Sequence, residues 1–201
     1  MTSANTDEQD RADMARLTAG HGPALNDLMA RHAERLFHYL WRILQNETEA
    51  SDLAQEAFVR VYENRTSYKP SNKFSTWLFT IATNLARDVQ RRRARHPHVS
   101  LEAQHSDTGQ DFRELLPDAN PNPVERLESA EHAEAVRQAV AALPEALRVP
   151  LVLAAYEEKS QAEIAAILRC STKAVETRIY RARQQLREQL SKLLHAKMPF
   201  S

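Results

Sequence analysis

Hydrophobic side chains recur every three to four residues along three stretches in the first half of the chain, which is the spacing of α-helices. The first stretch covers residues 24–45. The second begins at the sequence NETE, where Asn46 and Glu49 have the separation of a capping box. The third covers residues 74–95 and follows a polar loop that contains Pro70. This pattern predicts a small domain of three amphipathic helices.

The third stretch, FSTWLFTIATNLARDVQRRRAR, is apolar at its start and basic at its end. Four apolar side chains recur every four residues, and we expect them to form the buried stripe of this helix. They are Trp77, Ile81, Leu85 and Val89. Residues 74–95 carry five arginines and one aspartate, which gives a net charge of +4. The basic end is either a solvated helix end or a surface that meets phosphate, and the pattern leaves both open.

Helical spacing stops between His96 and Pro123, a segment that contains four prolines and one glycine. Residues 96–135 hold nine carboxylates and two arginines, which gives a net charge of −7. We therefore interpret residues 96–123 as a flexible acidic linker. Helical spacing resumes at about residue 124, and Pro150 is expected to kink or re-cap one of the later helices.

The sequence SQAEIAAILRCSTKAVETRIYRARQQLRE, residues 160–188, has the layout of a helix-turn-helix. Ser160 and Glu163 can form a capping box on a short helix, and Thr172 or Ser171 can cap a second helix after the turn. The second helix is expected to bury Val175, Ile179, Ala182 and Leu186. Its outward residues would be Lys173, Glu176, Thr177, Arg178, Arg181 and Arg183. Such a basic helix is typical of DNA binding, although a helical hairpin with a basic surface has the same spacing.

The turn departs from the usual helix-turn-helix pattern, because Arg169 occupies the place where a left-handed backbone usually selects glycine. We expect Arg169 to adopt this conformation at a cost of about 1 kcal/mol. Cys170 follows at a place that normally packs a small apolar side chain. We interpret it as a buried core cysteine, with a redox role as the alternative.

The composition favours helices over sheets, because aromatic residues make up only 6% of the chain and there are three glycines. The single cysteine excludes an intrachain disulfide, and the eight histidines show no HExxH spacing. Since the sequence also lacks a nucleophile elbow and a phosphate-binding glycine loop, we predict no enzyme activity, no cofactor and no metal site. The polar N-terminus and the lack of an apolar run of about 20 residues predict a cytoplasmic protein without membrane insertion.

These motifs, in this order, resemble the extracytoplasmic-function (ECF) sigma factors of bacterial RNA polymerase. ASDLAQEAFVRVY, residues 50–62, is similar to the helix that binds the clamp coiled coil of the β′ subunit. FSTWLFTIATNLARD is similar to the part that melts and reads the minus-ten element. LPEALRVPLVLAAYEEKSQAEIAAIL followed by TKAVETRIYRARQQLR resembles region 4, which reads the minus-thirty-five element. Three residues depart from the family pattern, namely Pro150, Gln161 and Arg169.

The resemblance implies an all-α protein of two small helical domains joined by a flexible acidic linker, the C-terminal domain containing the helix-turn-helix. Residues 24–95 would form the region 2 domain and residues 124–194 the region 4 domain, on either side of the linker 96–123. Residues 1–23 would be a disordered or partly helical N-terminal segment, and residues 195–201 a tail.

The resemblance also implies three sets of contact residues. Core polymerase is expected to contact Asp52, Gln55 and Glu56. The minus-ten element would contact Ser67, Tyr68, Lys69, Asn72, Lys73, Asn84, Arg87, Asp88, Arg91 and Arg92. The minus-thirty-five element would contact Thr172, Lys173, Glu176, Thr177, Arg178, Arg181 and Arg183. The loop 67–73 and Asn84 are expected to lie together and hold one unstacked base.

The expected partners are core RNA polymerase, through the β′ clamp helices and the β subunit, promoter DNA, and an anti-sigma factor. The acidic linker either threads through the polymerase as a mimic of nucleic acid or serves as a simple tether. The alternative function is a helix-turn-helix transcriptional regulator that binds an operator without being a polymerase subunit. Two basic blocks in separate domains count against it, because such a regulator needs only one.

Overall fold

The computed structural model describes the backbone of residues 3–95 and 123–196 and the side chains of residues 5–95 and 132–192. The described residues form eight α-helices, a short 3-10 helix at Arg65–Ser67 and no strand, which confirms the all-α class. The helices are α1 (Ser3–Thr18), α2 (Ala24–Leu44), α3 (Glu47–Glu63), α4 (Phe74–Arg95), α5 (Pro123–Ala141), α6 (Glu145–Ala155), α7 (Gln161–Leu168) and α8 (Thr172–Ala196).

Residues 3–95 are called the N-terminal half of the chain, and residues 123–196 are called the C-terminal half. Residues 96–122 of the predicted linker and residues 197–201 of the predicted tail lie outside the described residues. The division of the chain into domains therefore stays a prediction at these two places.

Local capping groups set the ends of the helices. The Asn46 side chain accepts a hydrogen bond from the backbone N–H of Glu49 (3.0 Å) and so satisfies a free donor at the start of α3. Just before it, α2 ends at Gln45, whose backbone is left-handed (φ 56°) and whose N–H donates to the carbonyl of Trp41. α4 spans residues 74–95, as the sequence predicted.

The buried stripe of α4 differs from the predicted one. Its buried side chains are Phe74, Leu78, Phe79, Ala82, Thr83, Leu85 and Ala86. Of the predicted stripe only Leu85 is buried, and the other three members are half-buried. Because a helix has 3.6 residues per turn, a strict four-residue repeat advances by about 40° at each step. Over three steps such a repeat winds by about 120° around the helix, so it cannot stay on one packed face.

α1 packs against α2, in a segment for which the sequence predicted disorder or partial helix. Leu17 is fully buried. Asp10 is buried too, and its carboxylate lies 2.8 Å from Nε2 of His32 and 3.0 Å from Nε of Arg31. Asp13 pairs with the same arginine. These polar partners compensate the burial of two carboxylates, so α1 is a fixed part of the N-terminal half.

The C-terminal half has its own buried side chains on α6, α7 and α8. They include Val149, Val152, Leu153, Ile164, Ile167, Val175, Ile179 and Ala182. The predicted inward residues of α8 are therefore confirmed at three positions, and Leu186 is partly buried. α6 continues through Pro150, whose ring is buried, so this proline does not re-cap the helix.

The two halves pack against each other, with α4 against α7 and α2 against α6. Most of their buried hydrophobic side chains belong to one cluster that includes residues of both halves, and Leu143, Leu151 and Ala182 form a second, smaller cluster. Among the helices of the described residues, none combines the length and the hydropathy that crossing a membrane requires.

Candidate protein and nucleic-acid interfaces

The three side chains predicted to contact the polymerase share the solvent-facing side of α3. Asp52 and Gln55 are exposed. Glu56 is partly exposed, and its Oε1 lies 2.8 Å from Nε of Arg60. Residues at i, i+3 and i+4 occupy one helix face, so the three groups can act on the same partner. Carboxylates and an amide in this arrangement suit a partner that presents arginines.

The same side of α3 carries exposed apolar side chains that the sequence analysis did not assign to a surface. Val59 is 48% exposed and Tyr62 is 45% exposed. Val59 follows Asp52 by seven residues, which is two helical turns, and this spacing is the signal that could have identified it. The guanidinium of Arg65 lies 4.5 Å above the Tyr62 ring. Apolar area beside charge is what a protein interface requires.

The loop before α4 is held from the inside by Tyr68. This residue is 9% exposed, its hydroxyl donates to the carbonyl of Asn72 (2.7 Å), and its ring centre lies 5.3 Å from that of Trp77. Burial raises the pKa of the Tyr68 phenol. The other predicted loop residues are exposed, namely Ser67, Lys69, Asn72 and Lys73. Tyr68 therefore shapes the loop from the inside, whereas the other predicted loop residues face solvent.

Asn84 lies near the middle of α4 and is half-buried. It follows Phe74, at the end of the loop, by ten residues of α4. Since an α-helix rises 1.5 Å per residue, the separation along the helix is about 15 Å. That length corresponds to about four nucleotide steps of 3.4 Å. Phe74 and Asn84 are thus separated along α4, and a single base pocket formed by the loop and Asn84 stays a prediction.

The ends of α3 and α4 line an open, basic groove of about 470 Å³. Its lining residues are Arg60, Leu85, Asp88, Arg91, Arg92 and Arg95. Asp88 pairs with Arg91, and three further arginines leave the groove positively charged. Arg60 and Arg95 are additions to the predicted set. The run of arginines pointed to Arg95, but Arg60 joins it only because α3 packs beside α4.

α7, the turn and α8 form the predicted helix-turn-helix. The Ser160 hydroxyl accepts from the backbone N–H of Glu163 (3.2 Å), and Glu163 Oε2 accepts from the Ser160 N–H (2.9 Å), which completes the capping box. Arg169 is left-handed (φ 51°, ψ 51°), as its place in the turn predicted. Ser171, rather than Thr172, caps α8 by accepting a backbone N–H with its hydroxyl.

Six of the seven predicted minus-thirty-five contacts are exposed on α8. They are Thr172, Lys173, Glu176, Thr177, Arg181 and Arg183. Lys173 pairs with Glu176 (2.9 Å), and its backbone carbonyl accepts the Thr177 hydroxyl (2.9 Å). Tyr180 is 63% exposed beside them, and its spacing of four from Glu176 marks the shared face. Tyr180 is not among the contacts predicted from the sequence.

Arg178 is the seventh predicted contact, and it points toward the N-terminal half. It follows the buried Val175 by three residues, so it borders the packed face of α8. Its Nη1 lies 3.7 Å from the sulfur of Cys170, which is half-buried. Arg178, Arg87 and Glu145 line a cavity of about 250 Å³. Two predicted DNA contacts, one from each half, therefore face a single cavity.

Charges of the two halves also meet at the start of α7. Lys73 Nζ lies 3.3 Å from Glu163 Oε1 and 3.6 Å from Asp7 Oδ2. The charge of Glu163 is the main cause of the raised pKa of Lys73. Burial acts to raise the pKa of Glu163, but hydrogen bonds from Ser160 and the positive charges of Lys159 and Lys73 outweigh it and lower the pKa to about 2. Glu163 is therefore ionised at neutral pH.

Two family models match the chain, Sigma-70 region 2 over residues 28–96 and Sigma-70, region 4 over residues 133–186. The ECF RNA polymerase sigma factor SigW of Bacillus subtilis (strain 168) is 36% identical over 175 residues, which are 87% of this chain and 92% of that protein. The ECF RNA polymerase sigma factor SigE of Mycolicibacterium smegmatis is 35% identical over 170 residues, which are 85% of this chain and 63% of that protein.

Solved structures show the same relationship. CnrH, in complex with the cytosolic domain of CnrY, is 31% identical with a TM-score of 0.64, and the match covers 94% of this chain and 99% of that chain. The sigma factor RpoE in complex with the anti-sigma factor NepR, from Bartonella quintana, is 20% identical with a TM-score of 0.65 and shares the fold, with 84% of this chain and 98% of that chain covered. The region 2 match leaves the operator-binding alternative unsupported.

Proposed function

The chain belongs to the ECF sigma factors of RNA polymerase, and from that premise we propose which of its surfaces meets each partner. Sigma factors are transcription initiation factors, and sigma-70 regions 2 and 4 imply binding to RNA polymerase and to promoter DNA. The region 2 match falls on α2, α3 and α4, and the region 4 match falls on α5 to α8. The surfaces described above divide between these two regions.

The exposed side of α3 binds the clamp helices of the β′ subunit. Asp52, Gln55 and Glu56 provide acceptors for arginines, and Val59 adds apolar contact area beside them. Charged acceptors around an exposed apolar side chain can combine specificity with desolvated contact. The β subunit is the expected second contact of the polymerase.

The loop and α4 bind the minus-ten element as it melts. The exposed loop residues lie at the start of α4, Asn84 lies about 15 Å further along, and the basic groove follows at its end. An amide can pair with the edge of an unstacked base, and arginines can hold the strand's phosphates. The proposed contacts are Ser67, Lys69, Asn72, Lys73, Asn84, Arg87, Asp88, Arg91 and Arg92, with Tyr68 holding the loop.

The exposed side of α8 binds the minus-thirty-five element as duplex DNA. In a helix-turn-helix the N-terminal part of the second helix contacts base edges in the major groove. Thr172, Lys173 and Glu176 occupy that part of α8. Arg181 and Arg183 lie further along and can contact phosphates. Thr177 lies between these groups, and the half-buried Arg178 borders the packed face of α8.

An anti-sigma factor is a further proposed partner. The structural relative RpoE is described in complex with the anti-sigma factor NepR, and CnrH with the cytosolic domain of CnrY. The exposed side of α3 offers such a protein acceptor groups and apolar area. A protein that covered this side would compete with the polymerase.

One observation carries the function: regions 2 and 4 occur together on a chain that is 36% identical to an ECF sigma factor over 87% of its length. The test of the function is run-off transcription with core RNA polymerase on genomic promoter fragments. Promoter-specific transcripts that require the protein are expected. DNA binding without any polymerase-dependent transcript would contradict it.

The test of the α3 assignment is a triple variant, Asp52→Ala, Gln55→Ala and Glu56→Ala. We expect affinity for core polymerase to fall by about tenfold or more, because three neighbouring contacts are lost. Stability should change by less than about 1 kcal/mol, as for surface positions. The matched control is Glu8→Ala, Gln9→Ala and Glu158→Ala, which removes the same groups from exposed positions elsewhere. Equal affinities of the two variants would reject the assignment.

A further inference from the structure

Carboxylates of the C-terminal half reach cations of the N-terminal half at three places. The pairs are Glu145 with Arg87 (3.7 Å), Glu157 with Arg35 (3.4 Å) and Glu163 with Lys73 (3.3 Å). Two of the three cations, Lys73 and Arg87, belong to the proposed minus-ten surface. The contacts between the halves therefore occupy side chains that would bind DNA in the proposed minus-ten surface.

The contacts around Glu163 are the most extensive of the three. The Thr76 hydroxyl donates to Glu163 Oε1 (3.4 Å), next to Lys73. On the same side, Lys159 Nζ donates to the Ser75 hydroxyl (2.7 Å). α7 thus covers the first turn of α4 and places an ionised carboxylate against the lysine of the loop. A carboxylate offers Lys73 the same negatively charged oxygen acceptors that a DNA phosphate would offer.

We propose that this structure is a closed state of the chain, in which Glu163 occupies the phosphate position on Lys73 and α7 competes with promoter DNA for the start of α4. The inference rests on the minus-ten assignment made above. The Arg87–Glu145 pair is a second contact of this kind, because it places a carboxylate of the C-terminal half against an arginine of the proposed minus-ten surface (3.7 Å). In the closed state Arg87 and Arg178 line one cavity of about 250 Å³ between the two halves.

The charged contacts between the two halves stabilise the closed state only weakly. The Lys73 side chain is 45% exposed, and exposed ion pairs are weak and screened by salt. Glu157 is held at ion-pair distances of 3.4 and 3.9 Å from Arg35 and Arg42, and its Oε2 accepts no hydrogen bond from the described residues. Desolvation of such a buried carboxylate counts against closure. Binding of polymerase or DNA to one half can therefore separate the two.

The decisive variant is Glu163→Gln in the full-length chain. Glutamine keeps the capping box, because its amide can still bond the Ser160 N–H, but it removes the charge that faces Lys73. The matched control is Glu158→Gln, which makes the same charge change at an exposed position five residues away. Circular dichroism should show equal helix content in both. Small-angle X-ray scattering at low salt measures compactness, and fluorescence anisotropy measures affinity for a 20-nucleotide oligo(dT).

We expect Glu163→Gln to have a larger radius of gyration than the control and to bind oligo(dT) about threefold tighter, a factor within the range of one exposed ion pair. Lys73→Gln removes the same pair from the other side. It should expand the chain equally but bind oligo(dT) more weakly, because the DNA contact is lost as well.

Two results would overturn the proposal. If Glu163→Gln and Glu158→Gln have equal radii, the Glu163 contact does not hold the closed state. If Glu163→Gln expands without a gain in affinity, closure does not compete with DNA. Run-off transcription by the wild-type chain separates these failures from failure of the proposed function, since the radii are measured without DNA or polymerase.

Discussion

Arg169 shows how one backbone angle sets the geometry of the helix-turn-helix. Its left-handed conformation ends α7 and lets the backbone N–H of Cys170 donate to the carbonyl of Ala165 (3.0 Å). A side chain with a Cβ adopts this conformation at a cost of about 1 kcal/mol, whereas glycine adopts it freely. The turn therefore forms although the Cβ of Arg169 makes its left-handed backbone unfavourable.

We predict that Arg169→Gly raises the free energy of unfolding by up to about 0.6 kcal/mol, which is the relief of about 1 kcal/mol of strain less at least about 0.4 kcal/mol for the greater freedom of glycine in the unfolded chain. Urea denaturation at constant pH measures the change. Arg169→Ala is the control, because it removes the guanidinium but keeps the Cβ. If alanine stabilises as much as glycine, the effect comes from the side chain and not from the backbone angle.

On the scale of helices, α8 presents one face to solvent and the other to the rest of the fold. We predict that Lys173→Ala and Arg181→Ala both weaken binding to an upstream promoter duplex. A base contact should cost about 1–3 kcal/mol and relax sequence preference, whereas a phosphate contact should lower affinity evenly and reduce the salt slope by about 1. Anisotropy titrations at several salt concentrations distinguish the two. Lys192→Ala, an exposed charge near the end of α8, should leave binding unchanged.

α4 makes a different kind of contact along its length, and Asn84 tests it. If Asn84 holds a base that has left the stack, Asn84→Ala should slow open-complex formation while core binding and duplex binding persist. The defect should shrink on a template melted beforehand by mismatches, because the few kcal/mol of unpairing are then absent. Permanganate footprinting of thymines near the start site measures melting. Normal melting of the matched template by this variant would remove Asn84 from the base-reading surface.

Short-range rules explain what the sequence could predict about these elements. The bounds of α4, the capping box at Ser160 and the left-handed Arg169 each depend on residues within one or two helical turns. The incorrect predictions concern side chains whose burial depends on which neighbouring helix packs against them. Arg178 was placed outward and is half-buried beside Val175, because spacing alone does not show which edge of α8 a neighbouring helix covers.

The candidate surfaces show the same difference: groupings within one helix could be predicted, whereas groupings between helices could not. Helical spacing within α3 grouped Asp52, Gln55 and Glu56 correctly on one exposed side. The basic groove could not be predicted in full, since Arg60 and Arg95 come from different helices. The contact between Lys73 and Glu163 joins positions separated by 90 residues, and no local pattern reports such a pair.

For the whole molecule, the balance between closed and open forms depends on two carboxylates in opposite environments. Glu163 lies at the surface end of the contact, where hydrogen bonds and lysines stabilise its charge. Glu157 is 3% exposed and packs between α2 and the end of α6. Burial raises the pKa of Glu157, and the charges of Arg35, Arg42 and Lys159 offset this only in part. The two groups must therefore respond to pH with opposite signs.

This difference gives a prediction for the pH dependence of stability. The raised pKa of Glu157 means that its contribution is complete below about pH 4.5 and is lost as the pH rises through the folded-state value. The contribution of Glu163 is present above about pH 4.5 and is lost only as the pH falls toward about 2. Above about pH 4.5, the effect of Glu157 can therefore be measured without that of Glu163.

We expect the free energy of unfolding of the wild type, minus that of Glu157→Gln, to fall as the pH rises from about 4.5 to about 7.5. Glutamine cannot titrate, and histidines shared by both proteins cancel in the difference. Urea denaturation at each pH provides the two values. A difference that rises with pH would mean that Arg35 and Arg42 outweigh burial, so that Glu157 holds the two halves closed instead of favouring their separation.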